Sequence, residues 1–283
     1  MNLKNAYNEF LQSLKNIYSD NEAAEITGWV FESVVGVKRS GMISNPKREL
    51  TTALNKRIAS CLSELLLHKP VQYVLGESWF YKMKLKVNEH VLIPRPETEE
   101  LVELVVSSWQ PAVGGRQTVL DIGTGSGCIA IAIKKLLPQI NITAIDVSEA
   151  ALNVAMENAT AQSTAIDFKT LDFLNETNWA DLPKYDTIVS NPPYIPVSEK
   201  EMLDMNVTEW EPHMALFVPD NSPLLFYEKI AAFGKTHLNN GGKIFVELHE
   251  QYAQQTAAMF RLYYENAVIK KDIYGKERML VSY

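Results

Sequence analysis

A short apolar run, Thr118-Val119-Leu120-Asp121-Ile122, leads directly into Gly123-Thr124-Gly125-Ser126-Gly127 and then into the almost wholly apolar Cys128 to Leu137. Strand, glycine turn and buried helix in that order open a doubly wound α/β sheet that binds a nucleotide-like ligand at the turn. The glycines withhold side chains where a ligand must approach the backbone. Their spacing narrows the ligand. The dinucleotide fingerprint wants its third glycine at position 128, where this chain has Cys128. Asp121 also ends the strand with an acid, which a pyrophosphate would dislike and a sulfonium would accept. The turn therefore favours S-adenosylmethionine over a nicotinamide dinucleotide.

Later strands are predicted to point at the same place. Asn141 to Asp146 reads as a second strand, with Asp146 at its carboxyl end, where an acid can hold ribose hydroxyls or cap the next helix. Ser148 is expected to cap that helix. Ile166 to Lys169 reads as a third strand, followed by Asp172-Phe173 at the height of an adenine. Taken alone, Phe173 is better explained as a core ring than as a ligand contact.

Tyr185 to Ser190 is the fourth strand and ends in Asn191-Pro192-Pro193-Tyr194. Pro192 and Pro193 lack a backbone N–H and hold φ near −65°, and Pro192 pushes Asn191 towards extended backbone. A stiff bend results, with unpaired carbonyls, one side-chain amide and one ring. It suits a planar –NH2 group. The Asn191 side-chain oxygen and a proline carbonyl can each accept one N–H, and the Tyr194 ring can lie on the flat face. In an open sheet the carboxyl ends of adjacent strands line one crevice, so methyl donor and amine acceptor would meet there.

The front of the chain reads as helices. Leu3, Tyr7, Phe10, Leu11 and Leu14 recur at helical spacing, and Asp20 is expected to cap a second helix. Ser44-Asn45-Pro46 is expected to start a third, running to about His68. Trp79 to Val87 alternates as a hairpin, and Ile93-Pro94-Arg95-Pro96 forms a strap before a helix opened by Glu97 and Glu99. Pro111 to Gly115 reads as a break. Residues 197–222 are acidic and loop-rich, in the position of a lid or substrate-binding segment, and no metal-ligand set surrounds His213. A helix over 223–237, a fifth strand from Lys243 to Leu248, a helix opened by Glu250, and a final antiparallel pair complete the chain.

Composition limits the alternatives. A net charge of −7 is not the footprint of a general nucleic-acid binder. It is unevenly spread, with 12 Lys/Arg against 9 Asp/Glu in residues 1–90 and 15 against 25 beyond. No apolar run reaches the roughly 18 residues of a membrane span, and no signal peptide opens the chain. Two distant cysteines fit a reducing cytoplasm better than a disulfide framework.

With these residues placed, the chain closely resembles the PrmC/HemK family, the release factor glutamine methyltransferases. The resemblance rests on Ile93-Pro94-Arg95-Pro96-Glu97-Thr98-Glu99, Asp121-Ile122-Gly123-Thr124-Gly125-Ser126-Gly127, Ser190-Asn191-Pro192-Pro193-Tyr194-Ile195, and Glu211-Pro212 with Ala215-Leu216. It implies a helical substrate-recognition domain (1–70), a hairpin linker (71–92), and a class I, Rossmann-like methyltransferase domain (93–283) with a mostly parallel seven-stranded sheet. It implies methylation of N5 of the glutamine in the Gly-Gly-Gln motif of peptide chain release factors. By position, Gly123, Thr124, Gly125, Ser126 and Gly127 would line the methionine part of S-adenosylmethionine. Asp146 would take the ribose, Phe173 the adenine, and Asn191 a place beside the cofactor. Asn191, Pro192, Pro193 and Tyr194 would grip the glutamine amide, with Asn191 and Pro192 catalytic. Two departures stand out. Phe173 occupies a place where Trp is common, and Glu247-Leu248-His249 replaces a Glu-Ile-Gly-like stretch. The rival with similar chemistry is a DNA or RNA amino-methyltransferase acting on adenine N6 or cytosine N4. The acidic second half and the lack of a base-reading domain count against it.

Overall fold

The computed structural model describes residues 1–38, 41, 46–109 and 117–283. Within them the chain divides into two compact units, Met1–Glu77 with Met205–Trp210, and Ser78–Asp204 with Glu211–Tyr283.

The first unit is helical, with helices Leu3–Leu14, Asp20–Val35, Thr52–Leu65 and Val71–Leu75. Leu3, Phe10, Phe31, Cys61 and Leu65 are fully or almost fully buried in its core. Two helix starts differ from expectation. Ser19, not Asp20, caps the second helix, its hydroxyl accepting from the Glu22 N–H at 3.4 Å. Ser19 holds the extended backbone that a cap needs, and Asp20 becomes the first helical residue, where its charge suits the helix dipole. The third helix begins at Thr52 under a Thr51 cap, whose hydroxyl accepts from Leu54 N–H at 3.2 Å. Of the cap expected earlier, Pro46 lies in a turn, and Ser44 and Asn45 lie outside the described residues. That helix stops at Leu65, and His68 turns the chain at a φ of 59°. Into this unit the sequence also inserts the short helix Met205–Thr208, with Trp210 donating its indole N–H to Leu67 O at 3.3 Å.

From Ser78 on, the second unit opens with a hairpin of β1 (Glu77–Phe80, its first residue counted with the first unit) and β2 (Met83–Lys86), joined by Tyr81 and Lys82 at φ of 49° and 61°. Both turn residues are left-handed, as a tight two-residue hairpin turn demands, without the glycine or asparagine that usually signals it. The sheet comprises β3 (Thr118–Ile122), β4 (Asn141–Asp146), β5 (Asp167–Thr170), β6 (Tyr185–Ser190), β9 (Leu238–Glu247), β10 (Ala267–Lys271) and β11 (Glu277–Ser282). Two short strands, β7 (Ile195–Pro196) and β8 (Phe217–Val218), pair separately in parallel. Strand order in the large sheet is β10-β11-β9-β6-β3-β4-β5. Only β11 is antiparallel to its neighbours, so the seven-stranded, mostly parallel sheet of a class I methyltransferase is present.

Strand β9 starts earlier than Lys243. Leu238 pairs with Tyr185, and the register then jumps to Lys243 opposite Thr187, so Asn239 to Gly242 bulges, with Gly241 at a φ of 76°. The helix expected from Glu250 begins as one 3₁₀ turn, Glu250–Tyr252, and becomes α-helical over Ala253–Phe260. Pro111 to Gly115 lies outside the described residues. The helix Cys128–Leu136 is buried from Cys128 through Ile133, as its all-apolar sequence predicts. Both cysteines are free and buried, and burial pushes the Cys128 thiol up to about 12, which leaves it inert.

Candidate active site

The chain runs from β3 outward through β4 and β5, then returns to place β6 on the other side of β3. This reversal is the topological switch point at which open α/β sheets bind ligands. A cavity of about 460 Å³ lies there, within the second unit. That is in the range of roughly 300–1,000 Å³ for small-molecule sites.

One wall is the glycine turn. Gly123 and Thr124 both donate backbone N–H to Ile145 O, at 2.9 and 3.0 Å, which pins the turn to the end of β4. Gly123, Gly125 and Gly127 have φ of 70°, 54° and 79°. A side chain at Gly123 or Gly125 would meet nothing within 4 Å, because both face open space along the cavity. Gly127 does not line the cavity. A Cβ there would come within 3.1 Å of Ala155 Cβ and Ile131 Cδ1, so this glycine serves helix packing. Thr124 and Ser126 line the cavity with Gly123 and Gly125. Under the turn, Asp121 is fully buried. Its Oδ2 accepts from the Thr124 hydroxyl at 2.7 Å, and its Oδ1 has no hydrogen-bond partner. Burial, opposed by the Thr124 hydrogen bond, pushes its carboxyl up to about 7.

Asp146 lines the floor. Its two oxygens accept from Gly125 N–H at 2.8 Å and Ser148 N–H at 2.9 Å. It braces the glycine turn and still has lone pairs for a diol. Burial raises its carboxyl, against the hydrogen bonds that lower it. Phe173 also lines the cavity, but most of its ring is core, 5.5 Å from Trp179 and 5.4 Å from Phe233 between ring centres. Phe173 is thus a core ring with one side on the cavity. The site thus offers a cavity-facing glycine backbone, a carboxylate and an aromatic face, a donor set that fits the methionine, ribose and adenine parts of S-adenosylmethionine.

The other wall is the bend after β6. Asn191, Pro192 and Pro193 line the cavity; Tyr194 does not. The Asn191 side-chain N–H donates to Thr98 Oγ1 at 3.1 Å, and the Thr98 hydroxyl donates to Glu247 Oε2 at 2.7 Å. Tyr194 donates its hydroxyl to Glu247 Oε1 at 3.1 Å, with its ring edge-on to His249 at 5.8 Å. Glu247 is buried, which raises its carboxyl, while hydrogen bonds from Thr98 and Tyr194 and the Arg278 charge lower it. Glu247 and Thr98 are site residues that motif reading alone did not single out.

Beside this bend the strap is anchored by charge. Arg95 pairs with Glu211 at 2.5 Å, and Glu211 also accepts from Ile93 N–H at 3.2 Å. A further buried residue, Asn158, accepts from Lys86 N–H at 2.6 Å and donates to Lys86 O and Ser126 O, both at 2.9 Å, which ties the hairpin to the glycine turn. Its only sequence signal is a polar residue on the buried side of an alanine-rich helix. His249 caps the 3₁₀ turn at a φ of −70°, so no glycine is needed at that position.

Residues 5–76 match the PrmC N-terminal domain model and residues 101–208 the Methyltransferase small domain model. The chain is 39% identical over 282 residues to the release factor glutamine methyltransferase of Flavobacterium psychrophilum, covering 99% of this chain and 98% of that protein. It is 38% identical to that of Streptococcus pneumoniae over 284 residues, covering 99% and 98%. Among solved structures, the hMettl16 catalytic domain in complex with MAT2A 3'UTR hairpin 6 superposes with a TM-score of 0.53 at 15% identity, over 82% of each chain, a likeness of fold alone. Identity of this order over almost the whole length of both chains places the protein: it belongs to the release factor glutamine methyltransferase family.

Proposed function

We propose that this protein methylates the side-chain amide nitrogen of the glutamine in the Gly-Gly-Gln motif of peptide chain release factors, with S-adenosylmethionine as donor. The observation that carries the reading is the Asn191 amide. Its nitrogen is engaged by Thr98, and Asn191 lines the same cavity as the cavity-facing glycines of the donor turn.

When bound, S-adenosylmethionine supplies an electrophilic methyl group. Gly123, Thr124, Gly125 and Ser126 admit its methionine part, Asp146 takes ribose hydroxyls, and Phe173 lies by the adenine. Gly127 supports the turn from behind. The acceptor is the harder half, because an amide lone pair is conjugated and weakly nucleophilic. Asn191 Oδ1 and the Pro192 carbonyl each accept one N–H of the glutamine amide, which holds the nitrogen and favours its pyramidalisation. Pro193 stiffens the bend, and Tyr194 closes its outer side. Positioning of this kind contributes several of the roughly 7–11 kcal/mol available from ideal orientation. No strong base is required, since the methylated nitrogen releases its proton readily to water.

The helical unit is the natural contact for the release factor, and residues 197–222 for the loop that carries the glutamine. Translation termination puts the protein in the cytoplasm. Among the described residues no helix is long and apolar enough to cross a membrane.

The test is mass spectrometry with peptide mapping of a release factor incubated with the protein and S-adenosylmethionine. One added methyl on the Gly-Gly-Gln glutamine is expected. Transfer to DNA or RNA in a parallel tube, with none to the release factor, would overturn the reading in favour of a nucleic-acid amino-methyltransferase.

A further inference from the structure

The two ends of the Asn191–Tyr194 bend converge on one buried carboxylate. Thr98 Oγ1 lies 3.1 Å from Asn191 Nδ2 and 2.7 Å from Glu247 Oε2, and the Tyr194 hydroxyl lies 3.1 Å from Glu247 Oε1. Glu247 stands where strand register puts it. Ser190 pairs with Val246, so the residue after each strand partner, Asn191 and Glu247, falls side by side.

The polarity of this chain follows from its two hydrogen bonds. The single Thr98 hydroxyl proton is donated to Glu247 Oε2, and the oxygen keeps only lone pairs for Asn191 Nδ2. A lone pair can face the –NH2 end of the Asn191 amide but not its oxygen. The amide is thus locked with Oδ1 directed away from Thr98. If the amide turned over, –NH2 would face the –NH2 of a glutamine, donor against donor.

We propose that Thr98 and Glu247 are positioning residues which set the rotational sense of the Asn191 side-chain amide, so that it presents an acceptor and not a donor to the substrate amide. The inference rests on the glutamine methyltransferase reading above. Neither residue touches the reacting atoms. Glu247 acts through Thr98 on Asn191 and through the Tyr194 hydroxyl on the far end of the bend. Buried groups with two hydrogen-bond partners are costly to leave unsatisfied, so the carboxylate couples both ends of the bend.

The test uses the full chain, a release factor and S-adenosylmethionine, and compares Thr98→Val with Thr98→Ser. Valine keeps the shape and loses the hydroxyl; serine keeps the hydroxyl and loses the methyl. Thr98→Val is expected to lower kcat by about ten- to a hundredfold, the scale seen when a group that holds a ligand in place is lost. KM for the release factor and Kd for S-adenosylmethionine should change much less than kcat, because Thr98 lines the cavity but valine keeps its shape there. Thr98→Ser should recover most of the turnover despite a lower Tm. Glu247→Gln should behave like Thr98→Val, since its amide can donate to Thr98 and reverse the chain.

A packing role alone predicts the opposite order, with serine worse than valine in step with Tm, and that result would overturn the inference. Wild-type kcat in Thr98→Val would do so as well, while methylation by the wild-type chain in the same experiment would leave the reading of function standing. Absence of transfer by the wild-type chain would instead remove that reading, and the inference with it.

Discussion

The two walls of the cavity are built in different ways. The glycine-turn wall is mainly backbone: Gly123 and Gly125 at positive φ, their N–H groups held by Ile145 O and Asp146 Oδ2 of β4, with Asp121 buried beneath and one of its oxygens unpartnered. The wall at the Asn191 bend is braced side chain upon side chain, with Glu247 and Glu211 both satisfied by partners brought from distant parts of the sequence. A backbone wall tolerates change in its neighbours but not in its glycines. A wall of paired charges tolerates change in shape but not the loss of a partner.

Buried acids give the largest expected contrast. Asp121 is held at about 7 against 3.8 for an ordinary aspartate, so between those values the folded state keeps a proton that the unfolded state has released. Stability should therefore fall as pH rises through that window, by at most about 4 kcal/mol for roughly three pKa units. Asp121→Asn should flatten the decline in urea melts run from pH 5 to 8. An unchanged slope would show that Asp121 is solvated or paired in solution. Next in size is the acceptor amide. Asn191→Ala is expected to lose about 10²–10³ in turnover, by analogy with removing one catalytic hydrogen-bonding group. S-adenosylmethionine affinity, read by calorimetry, should change far less; near-normal turnover would remove Asn191 from the chemistry.

Arg95→Leu strands the buried Glu211 and should destabilise by about 3 kcal/mol, the lower part of the range of about 3–5 because Arg95 is partly in solvent. A midpoint in urea equal to wild type would mean the strap is held without the ion pair. The smallest effect separates the glycines. Gly127→Ala should cost about 2 kcal/mol from strained φ and the contacts with Ala155 and Ile131. Gly125→Ala, whose Cβ meets open space, carries the strained φ without the contacts, so it should lose less Tm than Gly127→Ala and more S-adenosylmethionine binding. Equal losses of stability and binding in both variants would break the distinction between cavity-facing and packing glycines.

The elements that sequence reading placed well are those whose signals are local. The glycine turn, the apolar helix after it, the Pro-Pro bend and the closing antiparallel pair all arise from neighbours along the chain. Helix starts are ambiguous where two cap residues compete within a few positions, as at Ser19 and Asp20. The early start of β9 is not legible locally because glycines and asparagines at a bulge read as a turn.

By itself, then, the sequence determined a doubly wound sheet with a glycine turn ending its first core strand and a Pro-Pro bend ending its fourth. Steric limits on glycine and proline act within a residue or two, so they survive in any tertiary context. Only the tertiary structure decided which glycine faces the cavity, that the Tyr194 hydroxyl is spent on Glu247, and which way the Asn191 amide points. Those outcomes depend on contacts across 149 residues between Thr98 and Glu247 and 93 between Thr98 and Asn191. Strand register, set by burial across the whole sheet, brings such partners together, and no local pattern encodes it.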